Sequence, residues 1–206
     1  MRSKTLTWLI IGVVLFAAFG PIFWMLPSRS DRRLAKMRAR ARSHGIQVEM
    51  TQLDDLVADA SARVSAGGVR REPKVSCAAY RLGLRRLARA APQWKMLYKP
   101  DAVEGPMRGW LWDGASGSTP ATDADYWRRV ADVVAQLPSD ALAVAAGPSE
   151  VSCWWRERAS AEDAVTSVDR LHDTLQKLAE IQMVADASAT SNDAAEDPPE
   201  APATRH

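Results

Sequence analysis

The sequence predicts an α+β fold: an N-terminal transmembrane helix, then a small domain with a mainly antiparallel sheet covered by amphipathic helices. Three observations point to it. An uncharged apolar run extends from Leu6 to Leu26; between residues 45 and 158 lie short β-favouring segments bounded by Gly or Pro; and longer segments repeat apolar residues at helical spacing. At 206 residues the chain has room for one domain with extra segments at its ends.

The apolar run would extend about 30 Å as a helix, the thickness of a bilayer core, and Trp8 and Trp24 lie near its ends, where indoles favour the membrane interface. A cleaved signal peptide competes, with Arg2 and Lys4 as its basic start. Pro21 after the Ala18/Gly20 cleavage spacing, and apolar residues on to Leu26, favour a retained anchor. The basic residues Arg29, Arg32, Arg33, Lys36, Arg38, Arg40 and Arg42 follow the run and outnumber those before it. The expectation is therefore a single-pass protein of a bacterial inner membrane, N terminus outside and domain in the cytoplasm.

Residues 1–28 read as the anchor with its short tail, 29–44 as a basic juxtamembrane helix capped by Ser30 and ended by Gly45, 45–183 as the domain, and 184–206 as a disordered acidic tail. Within the domain, residues 45–50 alternate as a strand. Thr51 and Asp54 then resemble a capping box ahead of a helix with Leu53, Leu56, Val57, Ala60 and Val64 on one face. Residues 74–82, 94–99 and 109–113 read as strands, and residues 83–91 are undecided. A helix capped by Thr122 runs to Pro138, Ala141–Ala146 and Glu150–Arg158 form a hairpin around Gly147, Pro148 and Ser149, and a last helix opens at Ser160.

The sequence offers little catalytic chemistry. His44, His172 and His206 lack metal-ligand spacing, Cys77 and Cys153 are 76 positions apart, and no phosphate-loop, dinucleotide or nucleophile-elbow motif occurs, so no metal, cofactor or catalytic residue is expected. A thiol enzyme using a cysteine with His172 is a third-ranked reading. Basic residues and tryptophans carry more signal. Ten Lys or Arg lie between Arg70 and Arg108 against Glu72, Asp101 and Glu104, with Tyr80, Trp94 and Tyr98 among them.

The seven basic residues from Arg29 to Arg42 are candidate contacts to anionic lipid headgroups. Trp154, Arg156, Arg85, Arg86 and Arg89 form a candidate interaction surface. Neighbours on a strand point to opposite faces, so Trp155, in step with Val151 and Cys153, belongs to the core, while Trp154 belongs to the other side.

The N-terminal plan, an apolar span followed by LPSRSDRRLAKMRARA and a strand, resembles the YajC type of accessory subunit of the bacterial preprotein translocase. The LPSR junction and the VSCWWRERA segment at 151–159 are similar to a group of uncharacterised single-pass bacterial proteins. These resemblances imply a non-catalytic accessory or scaffold protein that docks on an inner-membrane protein complex, one related to protein export being a candidate. A membrane-tethered nucleic-acid-binding domain is the alternative, with nucleic acid the less favoured partner.

Overall fold

The computed structural model describes Trp8, Gly12, Phe16 and residues 28–64, 68–103, 105–114, 123–158 and 164–196. The chain divides into two units, Met1–Lys36 and Met37–His206. Helix α1 (Arg29–Ser43), whose residues from Met37 on belong to the second unit, is capped by Ser28 rather than by the expected Ser30. The Ser28 hydroxyl accepts the Asp31 amide at 3.1 Å while the Asp31 carboxylate accepts the Ser28 amide at 3.0 Å, a reciprocal cap.

The membrane expectation is corrected. Among the described residues no helix is long and apolar enough to cross a membrane. Helix α1 holds seven basic residues, and the longest helix is interrupted throughout by charged and polar side chains. The run Leu6–Leu26 lies outside the described residues except at Trp8, Gly12 and Phe16. The transmembrane part of the fold class, the single-pass topology and the inner-membrane localisation are thus not supported, and the lipid-contact reading that rested on them is set aside.

The second unit contains a six-stranded antiparallel sheet: β1 (Gln47–Asp54), β2 (Lys74–Gly83), β3 (Trp94–Tyr98), β4 (Trp110–Trp112), β5 (Ala141–Ala146) and β6 (Glu150–Trp155), in the order β1-β2-β6-β5-β3-β4. The β5–β6 hairpin closes with the Gly147 amide donating to the Glu150 carbonyl at 2.9 Å. Of residues 83–91, undecided in the sequence, Gly83 ends β2 and the rest are irregular and fold back on that turn, with the Leu84 and Ala88 amides bonded to the carbonyls of Ser149 and Pro148.

The helix expected from Thr51 is absent. β1 continues to Asp54 in unbroken register with β2, pairing Thr51 with Cys77 and Leu53 with Val75, and only a 3-10 turn, Ala60–Arg63, follows. Each added strand residue gains a ladder partner from β2, and this long-range pairing overrides the helical spacing.

Helices α2 (Ala124–Val134) and α3 (Ala164–Glu196) cover one face of the sheet. α2 is capped by Asp123, whose carboxylate accepts the Asp125 amide at 2.9 Å; Thr122 and the expected cap Ser160 lie outside the described residues. Beneath the helices, Tyr80, Met96, Val144, Val151, Cys153 and Trp155 are fully buried. A polar thread crosses this core. Trp94 Nε1 donates to the Tyr126 hydroxyl at 2.7 Å, that hydroxyl donates to Gln182 Oε1 at 2.8 Å, and Gln182 Nε2 donates to the Pro92 carbonyl at 2.6 Å. Buried polar groups need such partners, and these fix the register of α3 on the sheet.

The last helix runs beyond the expected start of a disordered tail at 184. Asp186 is 4% exposed and accepts both the Arg86 guanidinium at 2.6 Å and the Ala90 amide at 2.9 Å. Truncating the chain after Ala185 is therefore expected to lower the unfolding free energy by about 1–3 kcal/mol, the worth of charge-assisted hydrogen bonds, as measured by urea denaturation. Trp155→Ala, which empties a fully buried site, should cost about 3–5 kcal/mol in the same measurement.

Candidate sheet-face interaction site

The period of two along β6 divides the sheet. Val151, Cys153 and Trp155 face the helices, and Glu150, Ser152 and Trp154 face the other way. Register extends this second face to Glu49 and Thr51 on β1, Ala79 and Arg81 on β2, Ala143 and Ala145 on β5, and Lys95 and Leu97 on β3. Neither α2 nor α3 lies over it.

Trp154 is half-buried and sits between cross-strand partners Ala79 and Ala143, both 0% exposed. A methyl on either side gives the indole a flat seat, and the indole in turn shields both alanines. Lys95 Nζ lies 5.1 Å from the centre of the Trp154 ring, within cation–π range, while also pairing with Asp113 at 2.7 Å. Beside them a cleft of about 220 Å³ is lined by Trp154, Lys95, Ser152, Glu150, Ala145 and Gly147.

The charges on this face are matched. Arg81 bridges Glu49 at 3.1 Å and Glu150 at 3.2 Å, and Arg156 pairs with Asp55 at 3.2 Å. A half-buried indole ringed by ion pairs is thus the chemical content of the site: apolar contact area at its centre and polar groups at its rim, with the Nε atoms of Arg81 and Arg156 buried without a hydrogen-bond partner.

The structure places the residues singled out from sequence in separate roles. Trp154 and Arg156 share the open face. Arg86 is turned toward α3, and Arg85 lines a different groove with Leu82, Leu84 and Met183, so the arginines of residues 85–89 are not brought to Trp154; Arg89 is exposed. Arg29, Arg32 and Lys36 are exposed in the first unit, where Arg33 is half-buried, and Arg42 is exposed in the second.

Arg38 and Arg40 are both paired within the chain, Arg38 against a buried carboxylate and Arg40 in a partly exposed pair. Arg38 makes a two-pronged ion pair with Glu157, whose carboxylate also accepts the Tyr80 hydroxyl at 2.7 Å. Arg40 makes bonds of 2.7 and 3.1 Å to Asp169. Lys95, Arg81, Glu150 and Ser152 were not singled out from sequence, although alternation from Trp154 leads directly to Ser152 and Glu150.

Two histidines far apart in sequence also meet. The rings of His44 and His172 stack at 4.2 Å with 14° between their planes, and His44 Nε2 lies 2.7 Å from Asp169. Among the described residues no group of three His, Cys, Asp or Glu could hold a metal ion. Burial, and then the neighbouring His44, lower the pKa of His172. Hydrogen bonds from Arg40 and then His44 pull Asp169 down to about 2. Both cysteines are buried and unpaired, and burial pushes both thiols up.

Comparison with family models, characterised proteins and solved structures gives no match to this chain.

The Asp169 cluster makes a pH prediction. Its carboxylate is held below the usual value of 3.8, so the stability it contributes is fully present above about 4 and is lost as pH falls toward about 2. Asp169→Asn should be less stable than the parent at neutral pH, and the two unfolding free energies should converge across that acid window. A gap that stays constant from pH 7 to about 2 would place the effect elsewhere.

Proposed function

We propose that this chain is a non-catalytic protein-binding domain, an accessory or scaffold component that docks a protein partner on the uncovered face of its sheet. The observation that carries this reading is the seating of Trp154: a large aromatic, half-buried on a floor of fully buried alanines, on the face opposite the helices. Rigid indoles surrounded by groups that exclude water are the residues that most often dominate protein–protein binding energy. Preseating lowers the entropic cost of binding, because the ring loses little further freedom when a partner covers it.

A nucleic-acid partner fits the same face less well. Phosphate binding needs cations free to replace counterions, whereas Lys95, Arg81 and Arg156 each already hold a carboxylate. Thiol chemistry is disfavoured by the raised cysteines, since the thiolate is the nucleophile.

The test is a photo-crosslinking amino acid at Leu97, on the open face, in cells that produce the full chain. A discrete protein adduct is expected, and Trp154→Ala should abolish it. With the captured partner purified, Trp154→Ala should weaken binding by about 2 kcal/mol or more, roughly 30-fold, at unchanged melting temperature. Adducts sensitive to nuclease, or a protein adduct indifferent to Trp154, would overturn the reading.

A further inference from the structure

The two edges of the sheet are unlike. β4, at one edge, is three residues long and is folded back on by the Met107–Trp110 bridge. β1, at the other, is eight residues long, contains no Pro or Lys, and has no irregularity in its register with β2. Proteins ordinarily blunt their edges with short strands, bulges, lysines or prolines, and β1 carries none of these devices.

The outward-facing groups of β1 follow from the ladder. The Asp55 amide donates to the Pro73 carbonyl, one step beyond the Asp54–Lys74 pair, so the odd-numbered residues of β1 direct their backbone groups to β2. Val48, Met50 and Gln52 then direct their N–H and C=O groups away from the sheet, and among the described residues no hydrogen bond is recorded for these groups. Met50 is 56% exposed, with Val57 at 50%, Val64 at 52% and Val69 at 69% in the segment that follows.

We propose that the outer edge of β1 is a homotypic interface, on which β1 of a second copy of this chain adds antiparallel with Met50 facing Met50. Self-complementarity selects this occupant and this register. Centred on Met50, the strands set Glu49 against Thr51, Val48 against Gln52 and Gln47 against Leu53, with no like charges opposed. Centring on Glu49 would oppose two carboxylates, and centring on Thr51 would set Asp54 against Val48 and Met50 against Gln52. In the Met50 register, Val48, Met50 and Gln52 of the two copies exchange about six hydrogen bonds. The exposed thioethers meet across the twofold axis, and the two six-stranded sheets become one. The Trp154 face stays free, so this interface is independent of the proposed partner site.

The geometry dictates the test on the full chain. Facing Cα atoms of a hydrogen-bonded pair lie about 5.5 Å apart, within disulfide range, whereas residue 52 lies about 14 Å from its own copy in this register. Under mild oxidation Met50→Cys should give at least tenfold more covalent dimer than Gln52→Cys, and the parent, with Cys77 and Cys153 buried, should give none. Gln52→Pro removes an outward N–H and leaves the β2 ladder intact. It should raise the dimer dissociation constant in sedimentation by more than tenfold at a near-parental melting temperature. A parent that sediments as a monomer at every concentration, equal crosslinking at positions 50 and 52, or a folded Gln52→Pro that dimerises like the parent overturns the proposal. If Gln52→Pro does not fold, the ratio of crosslinking at positions 50 and 52 decides.

Discussion

The buried carboxylate of Glu157 is the joint on which three elements of the second unit converge. It lies two residues beyond β6, 7% exposed, and receives the Arg38 guanidinium from α1 and the Tyr80 hydroxyl from β2. Its own backbone has φ of 54°, a left-handed conformation that costs a residue with a Cβ of order 1 kcal/mol or more. A carboxylate taken out of water needs full compensation, and losing one partner of such a pair costs about 3–5 kcal/mol. The strained turn is therefore held in place by the charge it delivers, and the end of α1 is fixed to the sheet by the same charge. Tyr80 shows the depth of the site: burial, and then the bond to Glu157, push its hydroxyl far above the usual range.

That anchoring leaves the sheet asymmetric. α2, α3 and the end of α1 all serve the Trp155 face, where Met37 and Ala41 are fully buried alongside Tyr80 and Trp155. The opposite face is closed by its own side chains, with alanines as the floor and Trp154, Lys95 and Arg81 lying across it. Small residues are required there, because with no covering helix only long side chains lying flat can exclude water from the floor. Adjacent tryptophans at 154 and 155 thus meet opposite solutions to burial. One ends in the core and donates its N–H to Asp140; the other lies on the surface under Lys95.

How far this could be read from sequence depends on the range of the interaction involved. The strands at 74–83, 94–98, 141–146 and 150–155 were legible because their alternation and turn residues are local. So was the end of α1. Gly45, at φ of 76°, allows the Ile46 amide to reach back to the Ala41 carbonyl. Thr51 to Val64 misled because its helical spacing is local, while the β2 partner that claims Thr51 and Leu53 begins only at Lys74.

The same blindness affected charge. Arg38, Arg40 and Arg86 looked like free cations because Glu157, Asp169 and Asp186 lie 119, 129 and 100 positions away. Only the C-terminal extension of α3 was hidden for that reason: its segment after Val184 has almost no apolar stripe, and the Asp186 carboxylate ties it to Arg86 and Ala90.

Counting cations therefore says little about partners for this chain, and counting unpaired cations says more. A formal charge of +2, and ten basic residues between Arg70 and Arg108, suggest a polyanion surface, but following the cations to their acceptors finds Arg81, Arg86 and Lys95 of these ten already holding carboxylates. On the sheet face that follow-up uses up Lys95, Arg81 and Arg156, and what remains distinctive is apolar and geometric: one seated indole, one cleft, and one long edge without the usual guards. Surfaces of that kind recognise shape and backbone rather than charge. They gain affinity mainly by excluding water around a rigid centre and by completing a hydrogen-bond ladder, and both mechanisms are largely indifferent to salt.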